Sequence, residues 1–350
     1  TYTLSPCVLN QARFGLNSFL NTFGRELASV RDVVSELDIP GIAEGPPESW
    51  GIPWVGISGY SAFGDSTEGP YTNRNKAFEF TDNLSWFRGR HSFKAGGTIR
   101  WDQYNQVGNQ FSRGSFNFDG RATGSLNGTA TAGAPAFADF LLGNMRTSES
   151  AVALATTNFR AGSQAYYFTD VWRLRDDMTL DLGIRYEYVP PWLDKGGTLI
   201  NAYLPFDDKG MPVADLSRHP VLVRIGDGDF YEGSPLRFPP NIKTSRDGEL
   251  GNRLIDDEKK NFAPRVGWAW TPSQNWSLRA GAGVFYMQDT GNPRFDMARN
   301  AAGRRQDTAD PLLLNLNWDA PFAGSGTNAC NLHPPLVCVV NHYVLGNMYD

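Results

Sequence analysis

The segment Met178–Tyr188 reads MTLDLGIRYEY. Met178, Leu180, Leu182, Ile184, Tyr186 and Tyr188 fall on one side of a period-two repeat, and Thr179, Asp181, Gly183, Arg185 and Glu187 on the other. A helix repeats its faces every 3.6 residues, so strict alternation over this length fits only an extended strand with one apolar and one polar face. The pattern recurs. In Trp276–Tyr286, Trp276, Leu278, Ala280, Ala282, Val284 and Tyr286 alternate with Ser277, Arg279, Gly281, Gly283 and Phe285. In His91–Tyr104, Phe93, Ala95, Gly97, Ile99 and Trp101 alternate with Lys94, Gly96, Thr98, Arg100 and Asp102.

Long strands are predicted at Leu4–Asn17, Ala77–Phe87, His91–Tyr104, Gln164–Leu174, Met178–Tyr188, Ala263–Trp270 and Trp276–Tyr286. Six of them form three hairpins, closed by Arg88–Arg90, Arg175–Asp177 and Thr271–Asn275, because short polar connections between alternating runs are hairpin signals. Soluble sandwich strands also alternate. Three features favour a membrane instead. Most of these strands run about 10 to 14 residues, whereas soluble strands cluster near five or six. Trp276 and Tyr286 lie ten residues apart on one face, about 33 Å of strand, which a tilt near 40° projects to about 25 Å, the height of a barrel's apolar band between its aromatic girdles. The stretches between hairpins, Ser18–Lys76, Asn105–Ser163, Val189–Phe262 and Met287 onward, are far longer than the turns. Strand parity puts all of them on one side, as extracellular loops lie.

The expected fold is therefore all-β: an antiparallel transmembrane β-barrel segment with short periplasmic turns and long extracellular loops. Many aromatics (13%), with 37 Gly and 22 Pro, suit such a turn-rich protein. Mean hydropathy is −0.39, and no apolar run of about 18 residues offers a membrane helix. A barrel strand needs none, since only alternate residues face lipid. Arg146–Thr157 is strand-like, but parity leaves it to an extracellular excursion as a strand extension. Gly51–Phe63 is assigned to a loop, and Pro135–Gly143 to a short helix with Pro at its start and Gly at its end. Asp82 breaks the pattern by falling on the apolar face of Phe78, Phe80, Leu84 and Trp86. A bulge, or a position near the edge of the apolar band, would account for it.

Little points to catalysis. Net charge is −5 with no basic block, so nucleic-acid binding has no electrostatic footprint. His91, His219, His333 and His342 are scattered, and neither a GxSxG elbow nor a CxxC pair is present. The expectation is no enzyme, no metal and no cofactor. The GDGD run at Gly226–Asp229 lacks the spacing and distal Glu of an EF-hand and reads as a solvated turn. GAGVF at 281–285 is strand, with glycines allowing curvature, rather than a dinucleotide fingerprint. Cys330 and Cys338 could close a loop disulfide in an oxidising compartment, or remain two thiols.

The polar faces gather Lys94, Arg100, Asp102, Asp181, Arg185, Glu187, Arg265 and Arg279. They are candidates for a lumen wall that contacts a plug or lines a permeation path. The plainer alternative is a hydrated interior with ion pairs between neighbouring strands. Trp101, Tyr186, Tyr188, Trp268, Trp270, Trp276 and Tyr286 are candidate lipid-interface aromatics. In the long stretches, Tyr60, Phe63, Phe111, Phe116, Phe118, Phe230, Tyr231 and Phe238 could capture a ligand or pack the loops together.

The runs FEFTDNLSWFRGRHSFKAGGTIRWDQYN (78–105), AFADFLLGN (136–144), YYFTDVWRLRDDMTLDLGIRYEYVPPW (166–192) and NFAPRVGWAWTPSQNWSLRAGAGVFY (261–286) together resemble the barrel of Oar-like TonB-dependent receptors. In that family a carboxypeptidase-regulatory-like domain and a plug precede the barrel. The resemblance implies a barrel of about 22 strands in the bacterial outer membrane, and uptake or export of a scarce ligand driven through TonB. Its partners would be outer-membrane lipid, the TonB complex acting through a plug, and an unknown extracellular ligand. A passive porin-like or structural barrel is the alternative, and a soluble β-rich module a third that strand length opposes. Residues 1–350 show neither regulatory domain, plug, signal peptide nor terminal aromatic strand, so the expectation is a partial barrel domain cut at both ends.

Overall fold

The computed structural model describes all residues except 25, 43–44, 126, 204–220, 235, 241, 247–250, 256, 288–291, 311–312, 325–328, 331–337, 341–342 and 346–350. One large antiparallel sheet dominates. Its strands are β1 (Tyr2–Ser5), β2 (Val8–Phe23), β3 (Tyr71–Arg88), β4 (His91–Gly108), β5 (Ala155–Arg175), β6 (Met178–Tyr188), β7 (Asn261–Ser273) and β8 (Trp276–Gly283). They pair in sequence order, with β1 and β8 at the two edges. A meander of this kind follows from the alternation and the turns: tight turns join β1–β2, β3–β4, β5–β6 and β7–β8, long connections join the rest, and register keeps every apolar set on one face.

The three expected hairpins are present, β3–β4, β5–β6 and β7–β8. The first expected strand differs. Pro6 and Cys7 break Leu4–Asn17 into a further hairpin, β1–β2, so eight strands rather than seven follow one another across the sheet, and the short strand Leu193–Asp194 adds a ninth by pairing with the top of β5. The strands also outrun their predicted ends on the side of the long connections: β3 and β4 have 18 residues each and β5 has 21. Past the apolar band alternation carries no hydrophobic signal, and the extension is held by backbone pairing and by polar side-chain bonds such as Gln106 to Asn73 at 2.6 Å and Arg160 to Asn105 at 2.8 Å. Arg146–Thr157 divides: Ala155–Thr157 is the top of β5, as the extension reading expected, while Thr147–Ala151 joins a second sheet.

That second sheet builds a cap. Its strands run Ala329–Cys330, Cys338–Val340, Tyr343–Leu345, Arg304–Thr308, Thr147–Ala151, Ser115–Phe118 and Trp54–Ile57 in spatial order. Gly51–Phe63, assigned to a loop, thus contributes a short strand, parallel to Ser115–Phe118. A helix spans Ala134–Leu142 and ends at Gly143, whose φ of 79° is the left-handed terminator expected from sequence. A small sheet (Ile200–Tyr203, Val221–Arg224, Lys243–Ser245) and a helix at Asn292–Ala302 complete the cap.

Most of the buried side chains lie in the cap rather than in the large sheet. One cluster gathers Val55, Phe116, Phe118, Met145, Leu316 and Phe322, and a second Ile200, Leu222, Phe230, Leu236 and Phe238. A third seats the cap on the sheet: Phe159 of β5, with Tyr104 of β4 against it, packs on Leu199, Phe295 and Met297, and the Tyr104 and Phe295 rings stack at 4.4 Å. The buried amide of Asn109 fastens two loops by donating to the carbonyls of Ala153 at 2.9 Å and Gly303 at 3.2 Å. Asn109→Ala strands both acceptors and is expected to loosen the cap by about 1–3 kcal/mol, read as faster hydrogen exchange at residues 151–153 and 303–305.

Candidate functional site

The cap lies over the polar face of the sheet. Tyr104 and Phe159, which contact it, share that face with Arg100, Asp102, Glu79, Arg185 and Glu187 by register. On this face β2, β3 and β4 form a partly open hollow of about 570 Å³ lined by Phe19, Asn75, Glu79, Arg100 and Tyr104, with Trp192 from the connection after β6. Arg100 is central to it. Its guanidinium holds both carboxylate oxygens of Asp102 at 3.0 Å from Nε and approaches Glu79 across the strand pair at 3.9 Å. Cavity walls of this kind offer charge of both signs beside aromatic surface.

The eight residues of the expected polar wall all lie on this face. Their pairing differs from the expectation of ion pairs between neighbouring strands. Arg100 binds Asp102 and Arg185 binds Glu187, each two residues along its own strand; Arg100–Glu79 is the cross-strand contact. Residues at i and i+2 share a face, so one strand can satisfy its own charges. Arg265 lies over the Phe285 ring at 4.7 Å. Lys94, Asp181 and Arg279 are exposed and make no side-chain bond among the described residues. Glu79, Tyr104 and Trp192 were not singled out in the sequence. Glu79 was legible, because alternation in β3 puts it opposite Arg100; Trp192 sits in a connection with no periodic signal.

The opposite face carries the apolar set. Two aromatic bands cross it. Near the tight turns are Trp86, Phe93, Trp172, Trp268, Trp270 and Trp276, with Trp270 Nε1 donating to Asp177 at 2.9 Å. Towards the long connections are Trp101, Tyr186, Tyr188, Phe262 and Tyr286. The Tyr188 hydroxyl donates to Asp257 at 2.7 Å and that of Tyr286 to the Phe262 carbonyl at 3.1 Å. Rings with an apolar body and one wet end suit a membrane–water interface.

Asp82 corrects an expectation. The register of β3 with β2 and with β4 is unbroken, so no bulge is present. Nor is the residue near an edge: it lies four residues from Trp86 and four from Phe78, midway between the bands. It is instead satisfied locally, since Asn10 Nδ2 of β2 donates to Asp82 Oδ1 at 2.7 Å. A second acid on this face, Asp170, binds His91 Nδ1 at 2.7 Å, with the His91 ring stacked on Phe93 and Trp172. This His–Asp pair lies on the apolar face, one residue from a tight turn, and not in the cavity.

The loop aromatics divide. Phe116, Phe118, Phe230 and Phe238 are cap core, while Tyr60 and Phe63 are about half exposed. In the GDGD run, the Asp229 carboxylate accepts the Tyr231 amide and its carbonyl accepts from Arg246, as in an ordinary turn. His219 and His333 lie outside the described residues, as does His342. The backbone register sets Cys330 opposite Cys338; their side chains lie outside the described set.

Comparison with known proteins matches the outer membrane beta barrel domain over residues 1–340. The chain belongs to that family. The large sheet is accordingly a segment of barrel wall in the bacterial outer membrane, with periplasmic turns at 88–91, 175–178 and 273–276 and the cap built from extracellular loops. Among solved structures, the ferric-catecholate import receptor Fiu of E. coli K12 in its closed form is similar at 11% identity and a TM-score of 0.26, over 99% of this chain and 46% of that one. The chain thus spans less than half of that receptor's length. No curated protein matches.

Proposed function

We propose that this barrel wall belongs to an outer-membrane receptor that captures a scarce ligand with its extracellular cap and passes it along the polar face in a TonB-dependent step. The observation that carries the proposal is the partly open hollow of mixed charge and aromatic lining on the polar wall, beside the Tyr104–Trp192 contact where an extracellular loop comes down. The loops are also anchored to the wall, where Phe159 packs on Phe295 and the Tyr104 ring stacks on it, as a cap that holds a ligand over the wall requires. On this reading the eight wall charges face the lumen, the two aromatic bands face lipid at the interfaces, and the protein is not an enzyme. The partners are outer-membrane lipid, the TonB complex through a plug, and an extracellular ligand.

Two measurements test it. The native protein is expected to fractionate with outer membranes and to migrate heat-modifiably on gels. A deletion strain is expected to lose growth on one scarce nutrient, and a strain lacking TonB to lose it equally. Uptake that survives without TonB would make the protein a passive porin-like barrel. Within the cavity, Arg100→Ala releases Asp102 and Glu79 together, and is expected to lower capture of that nutrient roughly 10-fold, as loss of a charged hydrogen bond does, with outer-membrane abundance unchanged.

A further inference from the structure

A second cavity lies within the cap. It encloses about 300 Å³ between Leu37, Ile52, Val55, Phe63, Phe140 and Trp318. An adjoining hollow of about 390 Å³ shares Asp38 and Ile39 with it and adds Asp32, Ser35, Ser49 and Trp50. The first is walled by aromatic and aliphatic side chains, with Phe63 and Phe140 edge-on at 6.0 Å and Phe140 edge-on to Trp318 at 6.5 Å. Its rim is unusual for a water-facing surface. Leu37 is 63% exposed and Phe63 47%, and Tyr60 and Phe137 continue the patch at a ring separation of 5.6 Å. Exposed apolar patches around a formed hollow mark interaction sites rather than core.

Charge says what kind of ligand fits. The ionisable residues lining the two hollows are both acids, Asp32 and Asp38. Asp32 is committed to the short helix Val33–Glu36: its carboxylate accepts the Ser35 amide at 3.2 Å and the Ser35 hydroxyl at 2.6 Å. Asp38 is exposed and makes no side-chain bond among the described residues. It stands where the hollows meet, on a backbone with φ of 52°, so one negative charge is presented at the mouth of an aromatic box with no ion-pair partner among the described residues.

We infer that this site takes a cationic amphiphile: a ligand with one ring-sized apolar group, seated among Phe63, Phe140 and Trp318, and an ammonium placed on Asp38. The aromatic walls add attraction for the cation as well as for the ring. The inference deepens the capture step proposed above and rests on it only for its biological setting, since binding to the cap needs no TonB.

The test uses the full-length protein in detergent micelles and three probes: phenethylamine, 3-phenylpropionate of opposite charge, and neutral toluene. Titrations followed by saturation-transfer NMR are expected to show phenethylamine binding at least ~5-fold more tightly than 3-phenylpropionate, the ratio a partly screened ion pair supplies. Asp38→Asn is expected to remove that preference. Asparagine tolerates the left-handed backbone, so the variant keeps the loop. Phe63→Ala, at an exposed position, should weaken all three probes together. Equal affinity for the amine and the acid, an Asp38→Asn variant that keeps the preference, or no binding at all would overturn the inference. Because micelles lack TonB coupling, such a result leaves the transport proposal standing. Conversely, TonB-independent uptake would leave this binding intact.

Discussion

Replacing Asp65 with alanine is expected to destabilise the extracellular cap by about 3–5 kcal/mol, the loss that follows when one partner of a buried ion pair is removed. Asp65 Oδ2 lies 3.4 Å from Arg113 Nε, with the two side chains 9% and 5% exposed. The surroundings are built for both. Arg113 Nε donates to the Trp50 carbonyl at 2.6 Å, and Asp65 Oδ2 accepts the Ile52 amide at 3.1 Å. Burial pulls the Arg113 guanidinium below its ordinary pKa, and the Asp65 charge pushes it back up. Without Asp65 the cation remains desolvated with no counter-charge, and its segment opens to water. Gly51, at φ of 146°, passes so close that a Cβ there would overlap both Asp65 Oδ2 and Arg113 Nε. Gly51→Ala should therefore break the same contact by a different route. Limited proteolysis of intact outer membranes reads both variants: new cleavage is expected between residues 45 and 67, with the strands protected as before. An unchanged digestion pattern for both would mean the pair is hydrated and contributes little.

The barrel wall was legible because its code is short-range. Alternation in Met178–Tyr188 and Trp276–Tyr286 fixes a face, and turns such as Arg175–Asp177 fix a neighbour, so sheet order follows without knowledge of anything distant. The helix over 134–142 was legible for the same reason, from Pro135 and Gly143. The cap was not. Trp54–Ile57 becomes a strand only because Ser115–Phe118 lies beside it; that strand pairs in turn with Thr147–Ala151, which pairs with Arg304–Thr308 far along the chain. Short strands of four or five residues carry too few repeats for a period to emerge. The candidate site divides along the same line. Arg100, Asp102 and Glu79 could be placed on one face from alternation, whereas Trp192, Asp38 and Trp318 enter their cavities through loop closure, which no local pattern encodes.

Asn10 and Asp82 should be worth more as a pair than either alone. They sit on the apolar face at mid-depth between the two aromatic bands, bonded at 2.7 Å. Lipid supplies no hydrogen bonds, so the carboxylate depends on Asn10 for a donor. Asn10→Leu removes that donor and leaves the acid unpaired. The expected cost is about 1–3 kcal/mol in barrel stability, the penalty for an unsatisfied buried group. Asp82→Leu alone leaves the Asn10 amide with the Asn83 carbonyl at 3.5 Å as its remaining partner, so its cost should be smaller. The double variant replaces both polar groups with apolar ones facing lipid, and is expected to recover wild-type stability or exceed it. Urea-driven unfolding into phospholipid vesicles, followed by the heat-modifiable gel shift, measures all three. A double variant less stable than Asn10→Leu would sink the assignment of this face to lipid, because only a polar partner covering Asp82 from outside would then explain why the acid is needed. The pair thus separates a polar defect in a lipid-facing wall from a contact surface, and it does so at a position that neither a bulge nor an edge of the apolar band explains.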